Sequence, residues 1–81
     1  MKNFVITKWC KSVTDSGKDK YTHRDHTGMP HKFRLLDDDG TIYAYGYNKY
    51  EDFEPLDEYM YSYGVTTIEY KDLKSGEYKM L

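Results

Sequence analysis

Eighty-one residues with 38% apolar and 17% aromatic content form one small domain over residues 1–81, with little room for an enclosed cofactor and too many rings for a disordered chain. The lone cysteine, Cys10, excludes an internal disulfide framework. The net charge of −2 conceals a split, because residues 1–34 carry eight Lys/Arg against three Asp (+5) and residues 35–81 four Lys against eleven Asp/Glu (−7). Such asymmetry either marks two binding faces or is compensated where strands from the two halves pair.

The chain opens MKNFVITKWCKSV, whose short apolar stretch is interrupted by Lys8 and Lys11. It reads as neither a signal peptide nor a membrane span, so a cytoplasmic location is expected. Residues 3–13 alternate and are rich in β-branched side chains, which predicts a strand. The polar run from Asp15 to Lys20 reads as a loop, residues 20–27 as a weak strand, and Gly28-Met29-Pro30 as a break. His31 to Leu36 is the clearest strand.

A hairpin follows, since Asp37-Asp38-Asp39-Gly40 separates HKFRLL from TIYAYGYN. A two-residue Asp39-Gly40 turn would put Lys32, Arg34 and Leu36 on one face with Tyr43, Tyr45 and Tyr47. A three-residue loop with Gly40 left-handed would instead group Phe33 and Leu35 with those tyrosines. The second register is favoured because it gathers the aromatics into one apolar layer.

Pro55 then suits the start of a short helix, with Glu54, Asp57 and Glu58 at its positive end and Gly64 as its stop. Leu56, Tyr59, Met60 and Tyr63 recur at i, i+3, i+4 and i+7, the face that must dock on a sheet. Val65 to Lys71 is another strand, Asp72 to Gly76 a turn, and Glu77 to Leu81 a last strand. The order predicts an α+β fold, a small twisted antiparallel sheet of four to six strands with one short helix packed on it. The expected core is Phe4, Ile6, Trp9, Phe33, Leu35, Ile42, Leu56, Met60, Val65 and Ile68.

No enzymatic signature accompanies these elements. His23, His26 and His31, with Asp25 between them and Cys10 distant, have the ligand types for zinc but lie on a polar loop without a Cys-x-x-Cys partner. The reading is therefore no metal and no cofactor. The Asp37–Gly40 run lacks both anchor ligands of a calcium loop. Cys10 has no motif supplying a base or an oxyanion-stabilising turn, so no catalytic residue is expected.

Two binding readings remain. The segment Tyr50, Glu51, Asp52, Glu54, Asp57, Glu58 and Tyr61 places carboxylates beside rings, a combination that fits a basic groove on a partner. Tyr59 and Tyr63 are better assigned to helix docking. The alternative is a nucleic-acid-binding sheet face built from Lys32, Arg34, Tyr43, Tyr45 and Tyr47, extended by Lys18, Lys20 and Arg24. The net negative charge opposes that alternative.

FRLLDDDGTIYAYGY, followed by FEPLDEYM, YGVTTIEYKD and GEYKML, resembles small phage and mobile-element proteins of gut Firmicutes. In those proteins a strand ending LLDDDG, a PLD segment and a TxIEY strand recur in the same order. The likeness covers roughly residues 32–81 and carries no functional residues across. It implies provenance. Small phage proteins without catalytic motifs are often inhibitors of host defence, including anti-CRISPR proteins, which is an inference by analogy. The function expected is thus a non-enzymatic inhibitor that binds a host protein or ribonucleoprotein complex of the CRISPR type in the host cytoplasm, with no membrane involved.

Overall fold

Phe33 and Leu35 alternate with Lys32 and Arg34, a period of two that makes His31–Leu36 a strand, and it lies in the middle of the sheet. A computed structural model describes residues 3–10, 22 and 24–81. Its elements are β1 (Phe4–Trp9), β2 (His31–Leu36), β3 (Ile42–Asn48), α1 (Glu54–Tyr63), β4 (Thr67–Lys71) and β5 (Tyr78–Met80). The strands lie in the order β1-β3-β2-β4-β5, each antiparallel to its neighbours. The protein is therefore a small α+β domain, a five-stranded antiparallel sheet with one helix. Residues 11–13 of the predicted first strand fall outside the described residues. Within the weak strand predicted at 20–27, the described residues 22 and 24–27 are not in a strand.

The hairpin loop has the predicted length but not the predicted consequence. Asp37 N–H donates to Thr41 O and Gly40 N–H to Asp37 O, both at 3.1 Å, closing a three-residue loop around a left-handed Gly40 at φ +83°. The register then changes: Leu36 faces Ile42, but Leu35 faces Ala44. Tyr43 is the extra residue of a β-bulge, and it reverses the parity of everything beyond it. Phe33 and Leu35 consequently face Gly46 and Ala44, not Tyr43, Tyr45 and Tyr47 as the favoured register required. Packing explains the outcome. A Cβ on Gly46 would sit 2.6 Å from Phe33 Cζ and collide with the Val5 carbonyl oxygen. The layer under the helix therefore has room for Phe33 only because β3 presents its small residues there.

A second bulge lies in β1, where Ile6 faces Gly46 but Lys8 faces Tyr45. The extra residue, Thr7, lets Phe4, Ile6 and Trp9 share the inward side despite their uneven spacing. Helix α1 begins as its punctuation predicts, with Pro55 in its first turn and acidic Glu54 and Asp57 beside it. It ends at a left-handed Gly64, φ +74°, whose N–H donates to Met60 O at 2.9 Å. The helix docks through rings: Tyr59 stands 5.4 Å from Trp9 at 87°, and Tyr63 lies 5.1 Å from the same indole.

The core contains the predicted Phe4, Ile6, Trp9, Phe33, Leu35, Leu56, Val65 and Ile68, together with Leu36, Ala44 and Tyr70. Ile42, beside the Tyr43 bulge, and Met60 are half-buried rather than core. Among the described residues one polar side chain, Asn48, is also fully buried.

Candidate partner-binding surfaces

The sheet and helix create two distinct surfaces. The first is the outer side of α1 with the connection that leads into it. Glu54, Asp57, Glu58 and Tyr61 recur at i, i+3, i+4 and i+7 and are all exposed, forming the stripe opposite the docked face. Tyr61 is 93% exposed, Tyr50 58% and Phe53 49%. The last turn of the helix carries no basic residue. Asp52, Phe53, Glu54, Asp57 and Glu58 together border a shallow depression.

Two members of the predicted acidic set have internal tasks. Asp52 is half-buried, and its Oδ1 accepts from Asn48 Nδ2 at 3.0 Å and from the Glu54 N–H at 3.1 Å. It is thereby tied into the connection between β3 and α1. Glu51 is exposed, with Oε2 at 3.8 Å from His31 Nδ1. Tyr50, Glu54, Asp57, Glu58 and Tyr61 are all exposed. Phe53, a ring interleaved with the same acidic run, is exposed beside them.

The second surface is the face of the sheet that α1 leaves uncovered. The Tyr43 bulge brings Tyr47 and Tyr45 to this side, opposite Lys32 and Arg34 respectively. Lys32 Nζ lies 5.7 Å and 5.9 Å from the ring centroids of Tyr45 and Tyr47. Arg34 donates from Nε to Glu69 Oε1 at 2.7 Å while its guanidinium sits 4.1 Å from the Tyr78 ring centroid. Across β3, Lys8 faces Tyr45. Four of the five residues predicted for a nucleic-acid face are thus brought together. Tyr43 is not among them, because it packs half-buried against the core. Tyr78 takes its place, and burial pushes its hydroxyl pKa up. Arg24 is exposed, whereas Lys18 and Lys20 lie outside the described residues.

The residues weighed for other chemistry are dispersed. His26 stacks on Tyr47 at 3.8 Å and 6°, and His31 faces Tyr70 and Glu51. His23 lies outside the described residues, among which no group of three His, Cys, Asp or Glu side chains converges on a point that could hold a metal ion. In the hairpin loop, Asp37 Oδ1 accepts from the Asp39 and Thr41 N–H groups, and Asp38 Oδ1 accepts from the Thr66 hydroxyl at 2.7 Å. These two carboxylates thus hold the turn together. Cys10 is half-buried at the end of β1, with a free thiol. Among the described residues no helix is long and apolar enough to cross a membrane.

Compared with known proteins, the chain matches no family model, no curated protein and no solved structure to a significant degree.

Proposed function

We propose that this chain is a non-enzymatic protein-binding module that docks through the outer stripe of α1 onto a basic groove of its partner. The observation that carries this reading is Tyr61, 93% exposed on the same stripe as Glu54, Asp57 and Glu58. A ring so exposed adds nothing to the core. Held on a rigid helix, it offers a large contact area at low entropy cost, and the surrounding carboxylates steer it toward positive charge. The rings of the sheet face differ, because those of Tyr45, Tyr47 and Tyr78 are already accompanied by cationic or imidazole groups.

A groove lined by Lys and Arg that accepts carboxylates is of the kind that accepts phosphates. The partner class is therefore a nucleic-acid-handling complex, and the resemblance to small phage proteins supports a host defence complex of the CRISPR type as the target. The chain would act there as an inhibitor by occupying the nucleic-acid path.

The test is capture of such a complex by the immobilised chain, with the complex's own nucleic acid as competitor. Wild type should be displaced by that nucleic acid, and the double variant Asp57→Lys, Tyr61→Ala should capture nothing while melting close to wild type. Undiminished capture by the double variant would overturn the proposal.

A further inference from the structure

We infer that the uncovered face of the sheet is a second, separate binding site, for single-stranded nucleic acid. A one-helix sheet buries one side only. Among the described strand residues, the other side presents Lys8, Lys32, Arg34 and Lys71 against the single carboxylate of Glu69. Arg34 is already paired with Glu69 at 2.7 Å. Lys8 and Lys32 therefore hold the positive charge that an anion would meet beside Tyr45 and Tyr47. The acidic stripe of α1 lies across the sheet from them, so the local field on this face opposes the net charge of the whole chain.

Charge alone would suit any polyanion. The rings narrow the choice. Tyr45 and Tyr47 alternate along β3 on this face, and Tyr78 adds a third ring 6.3 Å from Tyr45. The imidazole of His26 already lies flat on Tyr47, 3.8 Å between centroids with 6° between planes. That is the arrangement a stacked base adopts, so the face demonstrably accommodates a planar ring at stacking distance. Thr7, Lys8, Lys32, Tyr45 and Tyr78 border an open, shallow hollow of ≈ 410 Å³ on this face.

Rings on a sheet with ammonium groups between them recognise splayed bases joined by phosphates, which only a single strand offers. A duplex hides its base faces, and an acidic peptide has no planar rings repeating with its charges. In this assignment one base stacks on Tyr45 and the next takes the place of the His26 imidazole on Tyr47, while Lys8 and Lys32 each neutralise a phosphate.

Fluorescence anisotropy of the intact chain with a labelled single strand of about ten nucleotides decides the matter. Two phosphate contacts on a single strand predict a salt slope near −1.4, so affinity should fall about sevenfold between about 50 and about 200 mM salt. The double variant Lys8→Gln, Lys32→Gln should flatten that slope. Tyr45→Leu with Tyr47→Leu should weaken binding by roughly tenfold or more, at an unchanged slope. Tyr61→Ala should leave binding untouched, which separates this site from the α1 stripe. Circular dichroism melts confirm that each variant is folded. Three results would each overturn the inference: no binding of the single strand at low salt, equal binding of a matched duplex, or equal binding of poly-glutamate.

Discussion

The Tyr70 hydroxyl donates to the Asp52 carbonyl oxygen at 2.7 Å and accepts the Asp52 N–H at 3.2 Å, so one side chain of β4 clamps the backbone ahead of α1. The same oxygen also accepts Asn48 Nδ2 at 2.9 Å, which uses its donor and both acceptor positions. Asn48 is fully buried, and its amide nitrogen also donates to Asp52 Oδ1. This network ties the end of β3 to the start of the helix. Tyr70→Phe removes the oxygen but keeps the ring, leaving the Asn48 amide and the Asp52 backbone short of partners. A loss of about 1–3 kcal/mol in denaturant unfolding is expected. A change below the measurement error would mean that the network is not stabilising.

The same burial predicts an alkaline limit to stability. Tyr70 has its pKa raised, first by burial and against the hydrogen bonds from Asn48 and Asp52. Tyr78 is shifted the same way, again chiefly by burial. A folded pKa above the unfolded value favours the neutral phenol in the native state. Its contribution is complete below the unfolded tyrosine pKa of about 10 and is lost as the pH climbs from there through the folded value. The melting temperature should therefore decline on the alkaline side of about pH 10. Tyr70→Phe, although less stable at neutrality, should decline less steeply. Parallel alkaline slopes for the two proteins would refute the assignment to Tyr70.

Gly46 faces Phe33 where a side chain has no room. Its absent Cβ would lie 2.6 Å from Phe33 Cζ, and the second obstacle, the Val5 carbonyl, is main chain that cannot rotate away. Gly46→Ala should lower stability by at least the roughly 1–3 kcal/mol typical of overpacking. Combining it with Phe33→Leu should recover only part of that loss, because the clash with Val5 remains. Full recovery in the denaturation midpoint would show that the ring alone sets the limit.

Much of this architecture was legible in the residues. His31–Leu36 reads as a strand because its alternation is clean, and Glu54–Tyr63 reads as a helix because Pro55 and Gly64 bracket a four-residue apolar face. The Asp-Gly loop was legible in its length too. The faces of the hairpin were not, because one extra residue at Tyr43 inverts them and bulges leave no marker of their own. The available signal was the run Tyr43-Ala44-Tyr45-Gly46, in which small residues alternate with rings and had to meet Phe33 and Leu35. Asn48 continues that inward parity, its amide partnered inside by Asp52 and Tyr70. Asp52 looked like one more surface carboxylate. Its buried role depends on Tyr70, eighteen residues away in the chain, and no local pattern encodes that contact.

Asp52 and Tyr61, predicted together as contact residues, should separate cleanly under mutation. Asp52→Ala removes the acceptor for Asn48 Nδ2 and for the Glu54 N–H at the helix entry. It should cost about 1–3 kcal/mol of stability, and any loss of partner capture should follow from unfolding. Tyr61→Ala touches a side chain 93% exposed, so its stability should stay within about 0.5 kcal/mol of wild type. Its effect should fall on binding instead, by roughly tenfold or more if the ring is the anchor of the interface. Asp57→Lys should act mostly through association, with a modest stability cost of about 0.3–1 kcal/mol for placing a cation in the first turn of α1. Thermal melts and capture kinetics on the three variants would test this division. The interface assignment fails if Tyr61→Ala binds as wild type does, and the structural role of Asp52 fails if Asp52→Ala melts as wild type does.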